Sequence, residues 1–215
     1  MALPRSKPQN DNRERILEAA IALMNEHGGA VGTSQIANHL GISPGNLYYH
    51  FRNREAIMRE LFLRLTDELT QVLRTAEQDD ITADYLASCF TGGARVLWRY
   101  RFFFAVDFIR RDEALAESYR ALSHKCKAYM HIIIRGALRR APGRCSATPD
   151  ECERLAENMW VLWISWPRYT EIDGNHSTVR EADIWRGLEQ IAFLLSPYLA
   201  EDYFAQIARR LREHA

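Results

Sequence analysis

The chain carries no excess charge of either sign: 28 Lys and Arg stand against 28 Asp and Glu in 215 residues. A net charge of zero argues at first against a nucleic-acid partner, so any such partner has to be read from where the charges lie. Long apolar runs are missing too. No stretch of about eighteen uncharged apolar residues exists, which excludes a membrane-spanning helix, and the two densest clusters, MWVLWISW and FFFAVDFI, are short enough to read as buried helix. Residues 1–10 are polar and contain Pro4 and Pro8, with no apolar core of a signal peptide, so the expected location is cytoplasmic. The four cysteines (Cys89, Cys126, Cys145, Cys152) include no C-x-x-C pair and are expected to be reduced and structural; Cys145 and Cys152, flanking a loop, are the one pair near each other in sequence. Gly-rich phosphate loops, H-E-x-x-H and G-x-S-x-G are absent, so nothing points to an enzyme, a metal or another cofactor. His124 and His131, two helical turns apart, share a face but lack a third ligand nearby.

What is present is helical periodicity, with no convincing period-two strand. Arg5, Lys7, Arg13 and Arg15 crowd the N-terminus, and Arg52, Arg54, Arg59 and Arg64 follow about residue 50, whereas acids such as Glu77, Asp79, Asp80, Asp150, Glu151 and Glu153 lie further on. A basic head on a near-neutral body suits salt-dependent DNA binding. Residues 1–10 are expected as a mobile arm, 11–56 as a helix-turn-helix head and 57–215 as a helical body. Asp11 with Glu14 predicts the start of a first helix running to Gly28-Gly29. Asn53 predicts the cap of another, continuing to the Gln78-Asp79-Asp80 break. In the body the pattern predicts helices over 82–99, 101–111, 113–140, 149–172 and 178–195, then a basic final helix after Pro197. The start at 149 rests on Thr148-Pro149-Asp150-Glu151 and that at 178 on Thr178 with Glu181, both capping-box patterns.

Residues 33–55, TSQIANHLGISPGNLYYHFRNRE, carry the most specific signal. Ile36, Ala37 and Leu40 fall on one face of a short helix, Gly41 can turn the chain, and Ile42 returns toward the core. Ser43 and Pro44 form an N-cap and first helical residue. Leu47 and Phe51, four apart, claim the inward face of this second helix. Pro44, Gly45, Asn46, Tyr48, Tyr49 and His50 are then left facing out, although Tyr48, Tyr49 and His50 read alone would pass for core aromatics. In such a motif the N-terminal residues of the second helix meet base edges, which assigns Pro44, Gly45 and Asn46 to direct readout. Asn46 can pair with adenine or accept from cytosine, and Pro44 offers an apolar contact to a thymine methyl. Tyr49 can meet a methyl or a phosphate, and Tyr48 and His50 the backbone. Thr33, Ser34 and Gln35 open a helix whose free N–H groups favour a phosphate, with Thr33 as a candidate cap, and Arg54 adds a cation.

IANHLGISPGNLYYHFRNREAI resembles the DNA-binding signature of the tetracycline-repressor (TetR) family of bacterial regulators, including its Leu-Tyr-x-His-Phe run. The likeness covers roughly the first quarter of the chain, departing from the family at Gly32-Thr33, where two Thr are common, and at Arg54, where Lys is common. The resemblance implies an all-α protein of about nine to ten helices: a three-helix head and a larger ligand-binding and dimerisation domain. It implies that the helices at 149–172 and 178–195, with apolar faces Leu155, Met159, Leu162, Trp166 and Ile184, Leu188, Ile191, Leu195, pair with those of a second copy. A twofold dimer would present two reading helices to a palindromic operator, roughly 34–36 Å or a little more apart.

The body is rich in aromatics, and most of them suit an ordinary core. The resemblance implies in addition an effector pocket. Its candidate lining is Phe103, Phe104, Phe108, Met130, Ile133, Trp160 and Trp163, with Asp107, Arg95 or His131 supplying polarity, which suits a small apolar or aromatic effector. The expected function is a repressor released from its operator by that effector; the alternatives are an activator, or an architectural DNA-binding protein without an effector.

Overall fold

The computed structural model describes residues 8–28, 30–74, 80–104, 109, 111–173 and 179–213, and among them every regular element is helical. The chain forms two compact units, Met1–Leu65 with Tyr100–Ala116, and Thr66–Arg99 with Glu117–Ala215.

The first unit contains α1 (Pro8–His27), α2 (Thr33–Leu40), α3 (Pro44–His50) and the start of α4 (Arg54–Arg74). α1 begins at Pro8, three residues inside the stretch expected as an arm, because proline in a first turn has no helical N–H to lose. Asp11 therefore sits in the first turn and does not cap it, and Glu14 is a bidentate acceptor for Arg64, both contacts 2.6 Å. Residues 1–7 and Gly29 lie outside the described residues.

Each junction that follows has a local cause. Gly41 takes a φ of 65° after α2, a conformation that costs other residues a Cβ clash. Ser43 Oγ accepts from the Asn46 N–H at 3.2 Å to cap α3. Asn53 Oδ1 accepts from the Ala56 N–H at 2.9 Å to cap α4. At α2 the cap is Gly32, not Thr33: Gln35 Oε1 reaches back to accept the Gly32 N–H at 2.8 Å. Ile16, Leu17, Ala20 and Met24 of α1 are buried, as are Ile36, Ala37, Leu47, Phe51, Ile57 and Leu61, and α1 packs on α2 and α2 on α3. Leu40 and Ile42 are half-buried. Arg13 closes this core, its guanidinium 4.9 Å above the Phe51 ring and 2.8 Å from Glu60.

The second unit holds the remainder of α4, α5 (Ala83–Arg99), most of α6 (Glu113–Arg140), α7 (Pro149–Asp173), α8 (Glu181–Phe193) and α9 (Glu201–Arg212). α7 packs on α8, α5 on α8 and α9, and α9 on α8. Close packing depends on missing side chains: a Cβ on Gly93 would meet Trp163 at 2.8 Å, and one on Gly187 would meet Trp166 at 2.5 Å. Thr148 and Glu151 form the expected capping box of α7, with Glu151 Oε2 accepting from the Thr148 N–H at 2.7 Å. α7 also continues through Pro167, which forfeits a helical hydrogen bond but is buried.

Two expected elements change. Over 101–111 the described structure is a 3-10 turn, Arg101–Phe104; residues 105–108 and 110 lie outside the described residues. α8 starts at Glu181, so Glu181 is its first residue and not the third-position partner of Thr178, which itself lies outside the described residues. Asp183 takes that part, accepting the Arg180 N–H at 3.1 Å. The break expected at Gln78-Asp79 and the turn at Gly174-Asn175 likewise fall outside the described residues.

Candidate nucleic-acid interface

α3 is seven residues long and buries one of them, Leu47. Pro44, Gly45 and Asn46 are exposed, Tyr48 is 51% and Tyr49 72% exposed, and His50 is half-buried. The helix is therefore held by one side chain and its ends. The Ser43 cap fixes the first turn, and the Phe51 N–H donates to the Leu47 carbonyl at 2.9 Å to close the last.

The exposed groups are ordered with respect to each other. The Tyr49 and His50 rings meet edge to face, centroids 5.2 Å apart. Tyr48 Oη lies 3.4 Å from Thr33 Oγ1, which joins the start of α2 to α3 through two hydroxyls. Ser34 is exposed beside them, and exposed Gln35 is committed to the Gly32 cap. Arg54 has a role that sequence reasoning missed. Its Nε donates to the Val31 carbonyl at 3.0 Å, tying the start of α4 to the segment ahead of α2, and its Nη1 lies 4.0 Å from Glu55. The signal was the residue type: an Arg fork can brace a carbonyl with one N–H and present others elsewhere.

Gly45 is informative for what surrounds it. A Cβ there would meet nothing nearer than Ser43 Oγ at 3.9 Å, ordinary contact. Glycine in a helix costs about 1 kcal/mol relative to alanine. Among the described residues none packs where that Cβ would lie, so the chain's own packing does not call for the glycine.

The candidate effector residues are divided. Phe103 is buried in the first unit against Phe62 and Phe102, centroids 5.3 and 4.4 Å away, and Phe104 beside it is half-buried. Met130, Ile133, Trp160 and Trp163 are buried in the second unit, where Trp160 faces Tyr119 and Trp163 faces Phe90. Asp107 and Phe108 lie outside the described residues, and Arg95 is exposed. His131 is half-buried, with Nε2 buried and unbonded, a condition shared in that unit by Thr70 Oγ1. A cavity of about 20 Å³ adjoins Trp163, walled by Trp166, Leu97, Ile184 and Leu188, residues that the aromatic pattern did not single out as pocket. Among the described residues no three His, Cys, Asp or Glu assemble as a metal site. No helix among them is long and apolar enough to cross a membrane.

On α7 and α8, Leu155, Met159, Ile184, Leu188 and Ile191 are buried within their own unit, as is Leu195 just beyond. The apolar groups left outside are a different set: Val161, Tyr169 and Ile172 on α7 and Phe193 at the end of α8.

These features define a class, all-helical regulators with an N-terminal helix-turn-helix. Residues 16–61 match the model of the bacterial regulatory proteins of the tetR family, and residues 64–207 match the TetR bacterial transcriptional repressor model. The chain belongs to the TetR family of bacterial transcriptional regulators, which are transcription factors and not enzymes. Over 55 residues it is 36% identical to the class D tetracycline repressor of Escherichia coli and to the class H repressor of Photobacterium damsela subsp. piscicida. Those matches span 25% of this chain and 25% of each relative. A TetR-family transcriptional regulator from Marinobacter aquaeolei VT8 superposes with a TM-score of 0.81 at 26% identity, over 94% of this chain and 98% of that one. The SmeT–triclosan complex shares the fold at a TM-score of 0.60 and 20% identity, covering 89% and 93%. A γ-butyrolactone receptor shares it at 0.67 and 15%, covering 95% and 98%.

Proposed function

We propose that this protein is a homodimeric repressor that binds a palindromic DNA operator through α3 and leaves it when a small apolar or aromatic effector occupies the second unit. The observation that carries this reading is the exposed face of α3: a rigid helix offering Pro44, Gly45, Asn46, Tyr48 and Tyr49 around a single buried anchor. Gly45 supports it, since an unforced glycine on an outward helix face allows a foreign backbone to approach closely. Asn46 reads a base edge. Tyr48, His50, Thr33, Ser34, Gln35, Ser43 and Arg54 position the motif on phosphates, and Tyr49 meets a methyl or a phosphate. Such a protein works in the cytoplasm, where its operator is.

Dimerisation through 149–172 and 178–195 is supported by the uncovered Val161, Tyr169, Ile172 and Phe193, which a second copy would bury. Two weakly binding heads on one frame multiply affinity through effective concentration.

An effector site in the second unit is supported by its aromatic filling and by two polar atoms, Thr70 Oγ1 and His131 Nε2, that among the described residues are buried without partners. Those atoms favour an apolar molecule with a hydrogen-bonding group, chemistry in keeping with the triclosan and γ-butyrolactone named for two structural neighbours. The cavity beside Trp163 holds one water-sized body, so binding must open it.

Selection of bound duplexes from a random pool tests the first part: recovery of one short inverted repeat is expected, and recovery of unrelated sequences would refute operator binding. Release of that fragment by apolar candidates, followed with Trp fluorescence, tests the second.

A further inference from the structure

An open cleft of about 280 Å³ lies in the second unit, with none of the candidate effector residues in its lining, which includes Arg135, Arg139, Cys145, Ser146, Cys152 and Tyr198. It is a built feature. The loop between α6 and α7 is stitched to the segment between α8 and α9 by three backbone bonds: Gly143 N–H to Tyr198 O at 2.9 Å, Cys145 N–H to Pro197 O at 3.1 Å, and Ala200 N–H to Ala141 O at 3.0 Å. Gly143 is required by that seam, since a Cβ there would lie 2.5 Å from the Leu199 carbonyl oxygen.

Of the four cysteines, Cys145 alone is exposed, and it shares the cleft wall with Cys152, which is 3% exposed. Both side chains line this one cleft, Cys145 from the loop ahead of α7 and Cys152 from the first turns of α7. Thr148 caps α7, so Cys152 is the fourth helical residue, and Ala147, just before the cap, lines the same cleft. Residues at these two positions meet across a helix start, which turns Cys152 toward the loop side of the cleft. One turn apart on α6, Arg135 and Arg139 are exposed, and among the described residues neither pairs with a carboxylate.

We propose that this cleft is a dithiol site that is oxidised by small carboxylate-bearing disulfides, captured by Arg135 and Arg139 and reduced at the expense of Cys145 and Cys152. Cys145, as thiolate, attacks one sulfur of the disulfide; the S–S bond breaks, a Cys145 mixed disulfide forms, and the departing thiolate takes up the proton that Cys145 released. The Cys152 sulfur, its proton passed to water, then attacks the Cys145 sulfur and expels the second thiolate, which is protonated in turn. One disulfide is reduced to two thiols, and two protein thiols become a Cys145–Cys152 bridge, a balanced two-electron exchange. Exposure sets the order: burial pushes the Cys152 thiol up from its usual range, against the opposing pull of Arg135, so it acts as the resolving and not the attacking group.

The test treats the full-length protein with oxidised glutathione and, in parallel, with neutral hydroxyethyl disulfide, and reads intact mass and peptide maps. Wild type is expected to lose two hydrogens, retain no adduct and yield a peptide joining Cys145 to Cys152. Cys152→Ser is expected to retain a glutathione adduct on Cys145, and Cys145→Ser to form neither. Arg135→Gln with Arg139→Gln should slow the glutathione reaction roughly tenfold and leave the hydroxyethyl disulfide rate unchanged. A stable adduct on wild type, modification at Cys89 or Cys126 first, or equal slowing of both reagents would overturn the proposal. None of these readouts depends on DNA binding.

Discussion

The indole Nε1 of Trp166 donates to the backbone carbonyl of Asp183 at 2.9 Å, binding the middle of α7 to the first turn of α8. The same indole lies where a side chain on Gly187 would have to go, with Cδ1 2.5 Å from that Cβ position. Gly187→Ala must therefore push the ring out of its hydrogen bond or spread the helices. It is expected to destabilise the protein by about 1–3 kcal/mol, the usual cost of overpacking, measured by urea unfolding. An unchanged midpoint would contradict the packing described.

Asp183 itself is 1% exposed and accepts from Arg180 through its N–H, Nε and Nη2, and from Arg186. Those bonds, the Arg180 side chain foremost, hold its carboxyl at about 2. A depressed folded value means that the stabilisation is complete above the ordinary carboxylate range near 4 and drains away as pH falls from there toward 2. Asp183→Asn is expected to cost about 2 kcal/mol at neutral pH and to flatten the acid side of the stability profile. Parallel profiles for mutant and wild type would show that the cluster carries no such linkage.

Leu47 and Tyr49 should separate folding from recognition. Leu47 is 0% exposed and is the anchor of α3, so Leu47→Ala is expected to cost about 3 kcal/mol in thermal or chemical unfolding. Tyr49→Ala should change stability by less than about 0.5 kcal/mol, yet weaken binding to the selected duplex. If Tyr49→Ala unfolds the head, the outward placement of its ring is wrong.

Gly45 allows the opposite test. Because a Cβ fits there in the free chain, Gly45→Ala should stabilise the protein by about 0.5–1 kcal/mol while lowering DNA affinity. Gain in stability with unchanged affinity would remove Gly45 from the interface.

Ile172 is 75% and Phe193 65% exposed. In the proposed dimer a charge at either position would enter the interface twice, so Ile172→Glu with Phe193→Glu should raise the dimer dissociation constant at least tenfold, read by sedimentation at several concentrations. A monomeric wild type would refute the dimer outright.

The parts of this fold that could be read in the chain are those fixed by neighbours in sequence. Ser43 before Pro44, Asn53 before α4 and Thr148 with Glu151 act through bonds spanning three residues, and all three close as expected. α3's exposure was legible for the same reason, since Leu47 and Phe51 are four apart and leave the rest outside. Where two acids compete, local reading slips: Glu181 and Asp183 both suit a first turn, and the choice of Asp183 depends on Arg180 and Arg186 converging on it. The helix expected over 149–172 already runs through Pro167; what the sequence does not show is the burial that offsets the cost of that proline. The run at 102–104 reads as helix, with Phe103 and Phe104 lining a pocket, because a 3-10 turn has no period of its own in the sequence; Phe103 packs on Phe62 and Phe102 instead. Leu155, Met159, Ile184 and Leu188 looked available to a second copy, since a wide apolar stripe does not say which part its own unit covers.

An address reader pinned by one leucine is cheap to rewrite. Under the proposed reading, substitutions at the exposed positions 44–46 and 48–49 change the recognised operator while sparing the buried interior. The vocabulary of the helix can diversify while its grammar, a glycine turn, a serine cap and one inward leucine in that order, stays put.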